Sequence, residues 1–189
     1  MHKIAFAIIA ASGFVANADI VRVDEFSSLQ FEGFNDLKMK HHEHKPVSIF
    51  GGMGEVFNSK HKGHLEASSH WSYHAGRDRG YIGPYEGSKM LGNTSGAIEY
   101  RFSSGQKSFG GFFASAAKEA DGSVQFFNDE VLVGEDVLKA AVGGKWSWNG
   151  WTAETEFNRV LVDSNHGKHG GYIMHDAVRV MATDVPTQG

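Results

Sequence analysis

The sequence predicts an all-β protein that closes as a two-sheet antiparallel β-sandwich, similar in form to a jelly roll. First, an apolar/polar alternation with a period of two residues dominates the chain from Ile98 onward. Second, the chain contains 24 glycines and only three prolines, so its turns are built mainly on glycine, which tolerates positive φ. Third, the best helical candidate, SSLQFEGFNDLKMK, has poor apolar spacing and is interrupted by Gly33. We expect about ten strands.

The first 18 residues, MHKIAFAIIAASGFVANA, have a basic start, an apolar run from Ile4 to Val15 and an ending of small residues. This pattern predicts a signal peptide over residues 1–18, with cleavage before Asp19. The apolar run is shorter than the roughly 20 residues that a membrane-spanning helix needs. We therefore expect a single domain over residues 19–189 without a membrane span, secreted or located in the periplasm or at the cell surface.

Charge and cysteine content argue against a nucleic-acid-binding protein and against a disulfide-stapled fold. The net charge is −4 and the charges are spread along the chain, which argues against a nucleic-acid partner because phosphate binding needs clustered Lys and Arg. The chain contains no cysteine, so stability outside the cytoplasm must come from a packed core or a bound ion.

The predicted strands begin with GAIEYRFSS, in which Ile98, Tyr100 and Phe102 share one face. Four further runs rich in Val, Phe and Trp are bounded by turn residues, and these are SVQFFNDEVLVGED, KWSWNGWTAETEF, NRVLVDS and GGYIMHDAVRVMA. Residues 38–89 contain most of the histidines and only short apolar runs. We interpret this range as long loops between early strands.

The segment KMKHHEHKP places His41, His42 and His44 within four residues. Imidazole binds zinc, copper and nickel, but a closed site needs about four ligands at fixed geometry. The spacing matches no HExxH motif, and a zinc finger would need cysteine. Two interpretations follow, solvated loop histidines and a transition-metal site.

Asp176, in YIMHDAVRV, falls on the more apolar face of its predicted strand, together with Met174 and Val178. An isolated buried carboxylate is too costly, so Asp176 should be paired with a charge, hydrogen-bonded or bound to a cation. The alternatives are a bulge that turns it to water and an ordinary salt bridge.

Aromatic residues offer a candidate sugar-binding surface. Trp146 and Trp148 are two residues apart, as in a core-facing strand pair, whereas Trp151 follows the turn signal Asn-Gly and is expected to be exposed. Exposed Trp and Tyr present flat apolar faces and wet polar edges. We therefore expect Trp151, Tyr81 and Tyr85 to contact a glycan.

Catalysis has little support in the sequence. In GNTSG, Thr94 occupies the position of the nucleophilic serine in a GxSxG elbow, and no pair of acids is marked by its spacing. We expect no enzymatic activity.

Three segments, FEGF from Phe31, GNTSGAIEYRFSS with FGGFF, and HDAVRV, together resemble the body of bacterial secreted proteins of the PEP-CTERM type. Such bodies are similar to galactose-binding or carbohydrate-binding jelly rolls. The resemblance implies a structural calcium ion held by one acid near the first strand and one in the last, here Glu32 and Asp176. The chain ends at DVPTQG, without that family's C-terminal sorting signal, so anchoring by that route is not expected.

The sequence as a whole predicts an exported, non-catalytic binding or structural protein whose partner is a glycan or the extracellular matrix. One alternative is an extracytoplasmic histidine-rich binder of transition metals. The other is a secreted enzyme that cleaves polysaccharides on the same fold.

Overall fold

The computed structural model describes residues 20–38, 45–59, 64–75, 78–118, 121–164 and 171–183. The predicted signal peptide and His41, His42 and His44 lie outside these residues. The described part is all-β, with thirteen strands and one short 3-10 turn. The predicted fold class, an all-β sandwich, is confirmed.

The strands are short in the first half of the chain and long in the second half. In chain order they are β1 (Ile20–Arg22), β2 (Gln30–Glu32), β3 (Val47–Ile49), β4 (Gly54–Asn58), β5 (Leu65–Ser68), β6 (Trp71–Ala75), β7 (Asp78–Ile82), β8 (Met90–Asn93), β9 (Ile98–Ser115), β10 (Asp121–Asn128), β11 (Val131–Lys139), β12 (Ser147–Ser164) and β13 (Ile173–Met181), with the 3-10 turn at Phe50–Gly52.

Strands β9 and β12 pair with each other along two separate stretches, and each contributes to both sheets. Their register is interrupted between Thr152 and Phe157 of β12. Tyr100 and Phe109 lie in the two halves of β9, and their ring centroids are only 5.3 Å apart. In a straight strand nine residues span about 30 Å, so β9 folds back across the core.

The first sheet has the strand order β3-β4-β9-β12-β10-β11, using the beginning of β9 and the end of β12. The second has the order β1-β12-β9-β13-β8-β5, with β2 paired beside β8 on the same edge of β13. The main core between the sheets is rich in aromatic rings, among them Trp151, Phe113 and Phe126.

The interpretation of residues 38–89 as long loops is wrong for the described part of that range, which contains β3 to β7. These strands have only three to five residues each, too few for a period of two to stand out. β6 and β7 form a separate hairpin. Trp71 and Tyr73 of this hairpin pack against a second apolar cluster that includes Met90 and Met174, so the hairpin covers the outer face of the second sheet.

Candidate functional site

A β-bulge in β13 decides where the predicted site residues point. Ala177 and Val178 stand opposite the single residue Gly111 of β9, and Ala177 has φ 49°. One extra residue reverses the alternation of side chains across a strand. Val178 therefore packs in the main core, whereas Asp176 faces the outer side of the second sheet. The prediction that the two residues share a face is wrong.

Glu32 lies on the core side of the second sheet because it pairs in register with Val178. Its Oε1 accepts a hydrogen bond from the backbone N–H of Phe34, and its Oε2 accepts one from Phe50, each at 2.8 Å. Both phenylalanines have positive φ, 57° and 51°, a conformation that is costly for a bulky residue. The carboxylate thus stabilises two strained turns at the sandwich edge.

Asp176 is fully buried and obtains its partners from the backbone. Its Oδ2 accepts the N–H groups of Tyr85 at 2.7 Å and Glu86 at 3.2 Å, and its Oδ1 accepts that of Ala177 at 2.7 Å. Burial raises the pKa of this carboxyl to about 6, although the three N–H groups act in the opposite direction and the nearby charge of Glu86 adds to the rise. The sequence left open whether Asp176 is paired with a charge, hydrogen-bonded, bound to a cation or turned to water. In the structure it is a hydrogen-bonded carboxylate.

Glu32 and Asp176 do not fit a calcium ion shared between them. They point to opposite faces of the sheet, and five backbone N–H groups, which repel a cation, already occupy their oxygens. Among the described residues, no group of three or more His, Cys, Asp or Glu side chains could hold a metal ion. A metal at His41, His42 and His44, or calcium bound elsewhere, stays a prediction.

A buried polar pair, formed by Tyr100 and His175, lies on the core side of β13. The hydroxyl of Tyr100 and Nδ1 of His175 are 2.7 Å apart, and both side chains are fully buried. Burial lowers the pKa of His175 to about 3 and raises that of Tyr100, which the negative charges of Glu32 and Asp176 raise further. His175 is therefore a neutral core residue at neutral pH.

Residues 83–89, GPYEGSK, form the aromatic loop, which crosses the outer face of the second sheet. Three side chains from distant parts of the chain hold it. Trp146 donates its indole N–H to the carbonyl of Gly83 at 2.9 Å. Asp176 holds the middle of the loop. Oδ1 of Asn35 accepts the N–H groups of Ser88 at 2.5 Å and of Lys89 at 3.2 Å.

Three aromatic side chains, Tyr81, Tyr85 and Trp146, form what we call the aromatic surface. Tyr81 is 70% exposed and Tyr85 is 42% exposed. The Tyr85 ring stacks on Phe112 with centroids 3.5 Å apart, and it meets Trp146 edge-on at 6.5 Å. The loop before Trp146 also approaches Tyr81, because a Cβ built on Gly144 would lie 3.2 Å from the Tyr81 carbonyl oxygen. The Tyr85 and Trp146 rings are thus held in place by their neighbours, whereas the Tyr81 side chain is largely exposed.

A groove lined by six polar and two apolar residues lies beside the end of the aromatic loop. It has a volume of about 610 Å³, and Ser88 and Lys89 of the aromatic loop form one wall. Ser69 also lines the groove, and its neighbour His70 meets Tyr81 edge-on at 5.5 Å. The remaining polar lining comes from Lys38, Glu66 and Ser68. Hydroxyl and ammonium donors therefore lie beside exposed aromatic rings.

Trp151 does not belong to this surface, and the prediction that it is exposed is wrong. Its side chain is 0% exposed, and its indole N–H donates to Oδ2 of Asp136 at 2.7 Å. The Asn149-Gly150 signal does not make a turn, because both residues lie inside β12. The six-membered ring of Trp148 instead lies over Gly150, where a Cβ would be 2.8 Å from it.

Tyr81 and Tyr85, the other two predicted glycan contacts, are exposed where the sequence placed them. The sequence did not single out Trp146 for this surface, since its spacing from Trp148 indicated core packing. Asn35 was also missed. A signal for the loop was available in GPYEG, in which glycines flank a proline and an exposed tyrosine.

The chain matches no known protein family, and no curated protein matches it at a significant level. Among the residues that the structure describes, no helix is long and apolar enough to cross a membrane.

Proposed function

We propose that this protein is an exported, non-catalytic carbohydrate-binding protein whose ligand contacts the aromatic surface of Tyr81, Tyr85 and Trp146. The observation that carries the proposal is an exposed tyrosine, Tyr85, held rigidly by a stacked ring beneath it and by hydrogen bonds on both sides of its loop. A rigid aromatic face binds at a smaller entropic cost than a mobile one.

The chemistry of the surface matches that of a sugar. The C–H groups of a pyranose ring form an apolar face that packs on tyrosine or tryptophan, while its hydroxyl groups need hydrogen-bonding partners. The groove beside the aromatic loop offers the Ser88 hydroxyl oxygen as an acceptor and the Lys89 ammonium, which uses one of its three N–H donors on the Leu37 carbonyl. An elongated glycan would place one sugar unit on the Tyr85 ring and continue along the groove.

The distribution of perturbed titratable groups supports a binding role over a catalytic one. Among the described residues, those with shifted pKa values are Tyr100, His175 and Asp176, and all three are fully buried. A general acid or base must reach the substrate, and none of these three side chains reaches the groove. The rival role of transition-metal binder depends on His41, His42 and His44, and no described contact favours it.

The test is a glycan array followed by calorimetry, with untagged protein comprising residues 19–189. We expect binding to at least one polysaccharide class with a dissociation constant in the micromolar range. Tyr85→Ala should weaken binding about tenfold, which corresponds to ~1.4 kcal/mol for one stacked ring. Tyr81→Ala should also weaken binding.

Phe57→Ala is the matched control, because Phe57 is a half-buried aromatic residue on the first sheet, where it contacts Arg101. It should leave the affinity unchanged. Absence of binding across neutral and acidic polysaccharides would refute the proposal, and so would an equal loss of affinity in Phe57→Ala and Tyr85→Ala.

A further inference from the structure

We propose that Asp176 is a positioning residue for the aromatic surface, which it acts on by holding the backbone of Tyr85 and Glu86 against β13. This inference rests on the proposed function, since the surface that it positions is the proposed glycan site. Asp176 itself is fully buried and touches no ligand. It acts through the aromatic loop, 90 residues earlier in the chain.

The position of Asp176 in the sheet explains why this residue controls the Tyr85 ring. Asp176 pairs in register with Phe112 of β9, so the two side chains stand next to each other on one face. Phe112 supports the Tyr85 ring from below with centroids 3.5 Å apart, while Asp176 accepts the Tyr85 N–H at 2.7 Å. Ring and backbone of one residue are thus fixed to adjacent points of the same sheet.

A carboxylate at this position is not needed for packing. Its neighbour on the same strand face, Met174, belongs to an apolar cluster, and an apolar residue at 176 would avoid the cost of burying a charge. That cost is offset by three N–H groups, two of them from the aromatic loop. The orientation of the carboxylate therefore serves the loop as well as its own strand.

The other two hydrogen-bonded attachments lie at the ends of the aromatic loop, so Asp176 alone of the three holds the backbone of its middle. Trp146 holds the loop at Gly83, its first residue, and Asn35 holds it at Ser88 and Lys89, its last two. Gly87 between them has φ +70°, a conformation from which glycine relaxes easily. Without Asp176, we expect Tyr85 and Glu86 to leave the sheet while both ends of the loop stay attached.

The first test measures amide hydrogen exchange at Tyr85 and Glu86 by NMR in three variants. In Asp176→Ala, the exchange rates of these two amides should rise at least tenfold more than those of amides elsewhere in the second sheet, since two buried hydrogen bonds are lost. Asp176→Asn retains one carbonyl acceptor for these N–H groups, so it should restore most of the protection.

Glu32→Gln is the matched control. Glu32 also uses its carboxylate to hold two backbone N–H groups at the edge of the second sheet, but these belong to Phe34 and Phe50. It should loosen those amides and leave Tyr85 and Glu86 protected. The proposal is overturned if Asp176→Ala changes exchange at Tyr85 no more than Glu32→Gln does.

The second test is a double-mutant cycle on affinity for the glycan found in the array. Asp176→Asn should weaken binding slightly and Asp176→Ala severalfold in the wild-type background. If Asp176 acts through Tyr85, neither change should matter in a Tyr85→Ala background. Additive losses would contradict the inference. If the wild-type protein binds no glycan, the proposed function fails, while the exchange experiment still decides whether Asp176 holds the loop.

Discussion

Acid should remove the stabilising contribution of one buried residue, His175. Burial lowers its pKa from 6.5 to about 3 in the folded state, whereas the unfolded chain keeps an ordinary imidazole. Between these values only the unfolded state binds the proton, so the contribution of His175 is complete above about pH 6.5 and is lost as the pH falls toward 3. From pH 7 to pH 4, the loss is about 3 kcal/mol, at 1.36 kcal/mol per pH unit below 6.5.

Asp176 acts in the opposite direction within the same pH range. Its pKa is raised from 3.8 to about 6 in the folded state, so the folded state binds the proton more readily, and this group adds stability as the pH falls from about 6 to 3.8. If the wild type is compared with a variant that lacks His175 but keeps Asp176, the contribution of Asp176 cancels in the difference between their free energies of unfolding. The effect of His175 can therefore be isolated by substitution.

The comparison protein is the double variant Tyr100→Phe/His175→Leu, in which both partners of the buried hydrogen bond are removed together and no orphaned donor remains. Urea unfolding followed by tryptophan fluorescence at pH 7, 6, 5 and 4 gives the free energy of unfolding for each protein. The wild type should lose about 3 kcal/mol more than the double variant between pH 7 and pH 4. Tyr100→Phe alone keeps the histidine and should follow the wild type. Parallel pH profiles for the wild type and the double variant would refute the reasoning.

Three further predictions concern the core, the strand contacts and metal binding. Trp151→Ala should lower the free energy of unfolding by about 3–5 kcal/mol, measured in urea, because it empties a fully buried aromatic site; a loss below 1 kcal/mol would show that the residue is not in the core. Gly122→Ala should lower the melting temperature because a Cβ there overlaps the backbone of β12, whereas Gly83→Ala, which has no neighbour within 4 Å, should change it little; equal effects would contradict this. For the wild type, Asp176→Asn and Glu32→Gln alike, the melting temperature should be the same with EDTA, with added calcium and with neither. A calcium-dependent rise in the wild type alone would indicate a cation site shared by Glu32 and Asp176.

The fold class could be predicted because the long strands carry a clear signal. In β9, Ile98, Tyr100 and Phe102 all belong to the main core, as the period of two in the sequence indicates. The early strands could not be found in this way, since strands of three to five residues owe their existence to neighbours such as β9 and β13 that are distant in sequence. Their pairing is a tertiary effect and leaves little local pattern.

The site was predicted only in part, for two physical reasons. The bulge at Ala177 adds one residue to β13 and reverses the faces beyond it, and a period of two in the sequence continues unchanged across such an insertion. Two of the three partners of Asp176 are backbone N–H groups about 90 residues away, which no side-chain motif encodes. The need for a partner followed from the cost of a buried charge, but the identity of the partner did not.

The glycine signals show the same limit. Asn149-Gly150 has the composition of a hairpin turn, yet it lies within β12. A Cβ on Gly110 would lie 2.7 Å from the Trp148 ring, and one on Gly150 would lie 2.8 Å from it. These glycines therefore provide space for an indole and do not reverse the chain, a difference that depends on the ring packed above them.

The most direct test of the glycan-binding surface is an NMR titration that follows the tryptophan indole N–H signals as a fragment of the glycan found in the array is added. The chain has four tryptophans, so each signal can be assigned by substitution. Trp146, which lies beside Tyr85, should shift strongly, and the buried Trp151 should not move. A titration that shifts the Trp151 signal while the Trp146 signal stays in place would contradict the proposed site.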